Sequence, residues 1–104
     1  MTLEKKEIYN VLFSYYENLL TTKQIEYFKL YFFLDYSFKE ISENKNVSRN
    51  AIFLSVKETV SLLEEYESKL HLLEIHNLRI DLISKLNYEN ISIIKEQLLL
   101  LEEK

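Results

Sequence analysis

The sequence predicts an all-α protein: a three-helix core built around a helix-turn-helix, then a long fourth helix and a C-terminal helix. Three observations carry this. The 104 residues include no Gly and no Pro, so tight β-hairpins lack their usual turn residues and only Asn, Ser, Thr and Asp punctuate the helices. Apolar residues recur at helical spacing along nearly the whole chain. The order of caps and turn residues between Leu20 and Val56 then specifies the motif. This length suits one all-helical domain over residues 1–104. Within it the helix-turn-helix core falls at about 20–58, and a long-helix and dimerisation region at about 59–104.

A first helix is expected from about Thr2 to Leu20, with Ile8, Val11, Leu12, Tyr15, Tyr16 and Leu19 as its apolar face. Thr21 and Gln24 form a capping box that opens the second helix, each side chain satisfying a backbone N–H left free by the helix start. Tyr27, Phe28, Tyr31, Phe32 and Phe33 crowd that helix on most sides, which reads as packed core rather than an aromatic ligand site. It ends near Asp35. Ser37 and Glu40 repeat the capping box and open a short third helix, Phe38 to Asn44. Asn46 stands where the turn wants positive φ, a position that Gly or Asn tolerates best. Ser48 caps the fourth helix. Ile41, Val47, Ile52 and Val56 take the motif's buried positions, and Ser42 and Ala51 are small where two helices approach.

The fourth helix finds no clear stop before about Ser84. Ile52, Val56, Leu63, Tyr66, Leu70, Leu73 and Ile80 keep alternating steps of four and three, with Thr59 and Asn77 filling gaps, in a coiled-coil-like repeat. Unbroken, such a helix would be roughly 54 Å long at ~1.5 Å per residue, and would overhang a compact domain. It must either kink near His71 and fold back or pair with another subunit. Leu72, Ile75, Leu78, Leu82 and Leu86 add a second apolar strip beside the first. A fifth helix, from about Tyr88 to Glu103 with Asn87 as its cap, offers one cover through Ile91, Ile94, Leu98 and Leu101. The run Leu98 to Leu101 is apolar right round, so a homodimer paired through the second half of the fourth helix and the fifth helix is expected, with Asn77 at the seam.

Little here could support catalysis. There is no Cys, which removes disulfides and thiolate metal sites, and a Gly-rich phosphate loop needs Gly. His71 and His76 lie five apart on different helix faces. A carboxylate–His site from Glu67, His71 and Glu74 stands against the commoner reading of a solvated charged face. The expectation is no enzyme, no catalytic residues, no metal and no cofactor. The N-terminal MTLEKKEIYN lacks the apolar core of a signal peptide, and no apolar run approaches the roughly 20 residues of a membrane span, so a cytoplasmic protein is expected.

Net charge is −4, unevenly spread. Thr21 to Lys57 holds six basic and four acidic residues, for +2, and the remainder holds −6. The expected reading surface is early in the fourth helix, where Asn50, Leu54, Lys57 and Ser61 point away from buried Ile52 and Val56, flanked by Arg49 and Phe53. Arg49, Asn50, Phe53 and Lys57 are the candidate nucleic-acid-binding residues: Asn reads adenine bidentately, Arg takes guanine or phosphate, and Phe meets a thymine methyl or stacks on an unpaired RNA base. Phe53 and Leu54 also put apolar surface where groove-reading helices are usually polar, as a protein-docking face would. The residues leave DNA, RNA and protein open as partners.

Four segments carry a family resemblance: VLFSYYENLLTTKQ (Val11 to Gln24), YFFLDYSFKEISE (Tyr31 to Glu43), VSRNAIFLSVKET (Val47 to Thr59) and LLEEYESKLHLL (Leu62 to Leu73). Together they resemble the YlxM-like family of small bacterial helix-turn-helix proteins over about residues 9–75, and more distantly the winged-helix-like, DNA-binding region 4 of sigma factors. Members are typically encoded beside the signal recognition particle GTPases. The resemblance therefore implies a non-enzymatic regulator acting in or on that pathway, with particle RNA or particle proteins as partners. Thr22 stands where Pro is usual and Asn50 where Gln is commoner; both keep the local chemistry. Leu54 and Ser55 are less typical of the family. Alongside stands the alternative of a protein-interaction adaptor that keeps the fold without binding nucleic acid.

Overall fold

Asn46 organises the motif. It adopts φ 58°, ψ 39°, and from there its N–H and that of Val47 both donate to the Ser42 carbonyl, satisfying a group the helix end leaves free. The computed structural model describes residues 2–86 and 90–102. Their helices are α1 (Leu3–Tyr16), a 3₁₀ turn (Glu17–Leu19), α2 (Thr22–Phe32), α3 (Phe38–Lys45), α4 (Arg49–Leu70), α5 (Leu72–Ser84) and α6 (Ile91–Glu102). The protein is all-α, and no strand occurs among the described residues, so the helix-turn-helix carries no β wing there. The chain divides into two compact units, Met1–Leu70 and His71–Lys104.

The caps stand where the sequence places them. Thr21 and Gln24 exchange both bonds of a capping box at the start of α2, and Ser37 and Glu40 do the same for α3. Ser48 Oγ accepts the Ala51 N–H at 3.1 Å and starts α4. Losing such a cap costs about 0.5–2 kcal/mol. Ser48→Ala is therefore expected to lower the unfolding free energy measured in urea by that margin, and the midpoint with it, while Asn50→Ala, at an exposed position outside the cap, leaves both nearly unchanged. Equal midpoints for the two variants would show that Ser48 does not set the helix start.

In the first unit α4 packs on α1, α2 and α3. Phe28 lies at its centre, fully buried. Its ring stacks on Phe13 at 4.4 Å between centroids and on Phe32 at 4.3 Å. Ile41, Ile52, Val56 and Leu63 close the core, each worth about 1.5–3 kcal/mol on full burial. Thr59 is also buried, and its hydroxyl donates to the Ser55 carbonyl, so it carries no unmet polar group. Two phenols tie α1 to α4: Tyr9 donates to Glu64 and Tyr16 to Glu67, each at 2.6 Å. The Glu64 carboxylate, by accepting this bond, raises the Tyr9 pKa above its ordinary 10.0. That contribution is fully present below the unfolded value near 10 and is lost as pH rises through the higher folded value.

Several expectations need correction. The first α-helix ends at Tyr16 rather than Leu20, its last turn tightening to 3₁₀. Its buried residues are Leu12, Phe13 and Tyr16, whereas Ile8, Val11 and Leu19 are exposed. Phe33 on the second helix is also exposed, and that helix stops at Phe32, with Asp35 at φ 57° in the following turn. Ala51 is exposed, while Ser42 is half-buried. The fourth helix does not run to Ser84. It ends at Leu70, and His71 adopts φ 57°, ψ 28° before α5 begins, so the break falls where the alternative of a kink near His71 put it and six α-helices rather than five occur among the described residues. His visits this left-handed region more readily than most residues. No group of three His, Cys, Asp or Glu able to hold a metal occurs among the described residues.

In the second unit α5 packs on α6, and Arg79 pairs with Glu102. Ile94 and Leu101 are buried, but no residue of α5 is. Ile80, Ile83, Leu86, Ile93, Leu99 and Leu100 all remain more than half exposed. The last helix starts at Ile91, where the Asn90 carbonyl accepts the Ile94 N–H. The expected cap Asn87 and start Tyr88 lie outside the described residues.

Candidate nucleic-acid interface

The first turns of α4 supply the candidate site. Because Ser48 caps the helix, Arg49 is its first residue, and Ile52 and Val56 face the core at 0% and 4% exposure. At about 100° per residue, Arg49, Phe53, Lys57 and Asn50 then share one arc of roughly 100°. All four are exposed, so the fold brings the four sequence candidates onto a single face. That arc lies beside the buried stripe rather than opposite it. Leu54, half exposed, stands on its outer edge, and Glu58 lies a further ~40° round.

Charge on this face is balanced by local pairing elsewhere. Lys45 pairs with Glu26, and Lys29 with Glu17 at 3.4 Å. Glu40 is occupied in its capping box. Among the described residues Arg49 and Lys57 enter no ion pair, so both cations are available to an external anion. Lys57 Nζ lies 6.0 Å from the Phe53 ring centroid, a weak cation–π approach.

Phe53 does not stand alone. Its ring meets the edge of Phe38 at 5.6 Å, and Phe38 in turn stacks on Tyr31 at 4.5 Å with 6° between planes. These rings, with Val56, Lys57, Val60 and Ser61, line a cavity of about 280 Å³. Tyr31 and Phe38 were legible only as core and helix-start residues. No local signal marks them as site residues, since their meeting with Phe53 needs three helices in place.

His71 and His76 belong to the second unit, and His71 Nδ1 lies 2.9 Å from Glu74 Oε2 on its own helix. No helix among the described residues is long and apolar enough to cross a membrane.

A UPF0122 protein of Limosilactobacillus reuteri is 45% identical over 93 residues, covering 86% of this chain and 82% of its own. One from Pediococcus pentosaceus is 49% identical over 86 residues, covering 80% and 76%. One from Streptococcus gordonii is 39% identical over 100 residues, covering 94% and 91%. The family model described as "Putative helix-turn-helix protein, YlxM / p13 like" matches residues 3–102, and with relatives at these identities the chain belongs to that family, UPF0122.

Proposed function

We propose that this chain is a non-enzymatic, cytoplasmic regulatory protein that contacts nucleic acid through Arg49, Asn50, Phe53 and Lys57 and acts in or on the signal recognition particle pathway. The observation that carries the reading is the capped turn before α4. It sets two cations that enter no ion pair among the described residues, an Asn and an aromatic ring on one exposed arc. Arg49 and Lys57 engage phosphate, Asn50 reads a base edge, and Phe53 contacts a base face or methyl. The pathway rests on the family resemblance and names the first ligands to try, particle RNA and particle proteins. The reading includes a homodimer formed through α5 and α6, which would give the assembly two copies of the α4 reading face.

A salt titration tests it. Particle RNA and duplex DNA are each titrated with the full chain from low to physiological salt. Binding is expected to weaken with salt, and Arg49→Ala or Lys57→Ala to reduce the log–log slope by about 1 each. Absence of binding to either nucleic acid at low salt would eliminate the reading. It would leave the protein-adaptor alternative, which the exposure of Phe53 and Leu54 and the net charge of −4 favour.

A further inference from the structure

We propose that the cavity between α2, α3 and α4 seats one unpaired nucleobase, so that this face prefers single-stranded nucleic acid or a hairpin loop over duplex. The inference rests on the nucleic-acid reading above and specifies its ligand.

The cavity holds about 280 Å³, at the lower edge of the roughly 300–1,000 Å³ typical of small-molecule sites. That volume admits a single flat ring system. Its wall is aromatic, with Tyr31 and Phe38 stacked and Phe53 meeting them edge-on while 42% of its own surface stays exposed. Tyr31 and Phe38 each turn one face to the other and Lys6 lies over Tyr31, so the partly exposed Phe53 is the ring that offers itself to another ring system. Stacking on aromatic side chains is how unpaired bases are commonly held.

The rim decides the class of occupant. Lys57 and Ser61 are its polar groups, and no carboxylate lines it. Lys6 lies 5.0 Å over the Tyr31 ring but is engaged by Asp35 at 3.4 Å, which leaves Lys57 as the rim cation. Arg49, on the same arc of α4, extends the positive charge along the helix. A nucleotide matches both parts, its base the aromatic wall and its phosphate the cations. An apolar peptide side chain would match the wall and leave the cations unused. Duplex fits less well, because its base faces are stacked on one another and only their edges are presented in the grooves.

The test uses the full chain and three probes: a single strand of about 12 nucleotides carrying one 2-aminopurine, a hairpin with the same base in its loop, and a blunt duplex of equal length. The single strand and the hairpin should bind more tightly than the duplex, with 2-aminopurine fluorescence quenched by stacking. Phe53→Leu should weaken single-strand binding about 5- to 150-fold and abolish the quench, a far larger loss than it causes in duplex binding, where an apolar side chain still meets a thymine methyl. Phe53→Tyr, which keeps the ring, should retain both, and circular dichroism checks that each variant is folded.

Duplex binding as tight as single-strand binding, with no effect of Phe53→Leu, would overturn the pocket proposal and leave the nucleic-acid reading standing. Absence of binding to all three probes at low salt would overturn both. A shift of the Phe38 and Phe53 ring resonances by N-acetyltryptophanamide but not by the oligonucleotides would assign the cavity to a peptide side chain instead.

Discussion

Phe28→Ala is expected to remove about 3–5 kcal/mol from the stability of the first unit, the range for emptying a buried Phe site. The ring has no exposed surface and is sandwiched by Phe13 and Phe32, so its loss opens a cavity at the meeting of α1 and α2 that neighbours cannot fill by turning outward. Domains of this size are stable by only about 5–15 kcal/mol, so the change approaches the whole margin. In thermal unfolding the midpoint should fall on the order of 12 °C or more. Phe33→Ala provides the contrast. Phe33 also meets Phe13 and Phe28, edge-on at 5.5 and 5.9 Å, but is 44% exposed, and the expected loss is under about 1.5 kcal/mol. Similar losses for the two variants would show that the aromatic cluster is not centred on Phe28.

The full chain is expected to sediment at micromolar concentration as a dimer of 12.6 kDa subunits, and the double variant Ile83→Asp, Leu99→Asp as a monomer that keeps its helical signal. Ile83 and Leu99 are 53% and 59% exposed and line the same groove of about 600 Å³ on the second unit, together with Leu86, Ile91 and Leu98. Water on this much apolar surface is costly, at roughly 25 cal/mol per Å². Burying an unpaired carboxylate in such an interface costs about 3–5 kcal/mol, or roughly two to three and a half decades in the dissociation constant for each substitution. A wild-type chain that remained a 12.6 kDa monomer would defeat the proposal outright.

The two experiments probe different levels of information. Every cap of the helix-turn-helix was legible because its partners lie three residues apart, as in Thr21–Gln24, Ser37–Glu40 and Ser48–Ala51. Local hydrogen bonds of this kind need no tertiary context. Asn46 was legible for the same reason, since positive φ there is a one-residue property. The four site candidates also came from spacing alone: once Ile52 and Val56 face inward, helical geometry places Arg49, Asn50, Phe53 and Lys57 outward.

The break at His71 was legible only as one of two ways to accommodate an over-long fourth helix, not as the fixed end of α4. Apolar steps of three and four continue across it, and a single left-handed residue interrupts a helix without disturbing that spacing. Choosing which aromatics enter the core was beyond periodicity too. Phe13, absent from the expected apolar face, is buried, while Ile8 and Val11 of that face are exposed.

The sequence by itself determined the all-α class, the positions of the caps and turn, and the outward arc of early α4, because each depends on interactions within one or two helical turns. Only the tertiary structure decided that Phe28 centres the core, that α4 stops at Leu70, and that Tyr31, Phe38 and Phe53 meet around one cavity. Those outcomes depend on which helix faces pack against which, and packing joins residues that the chain holds far apart.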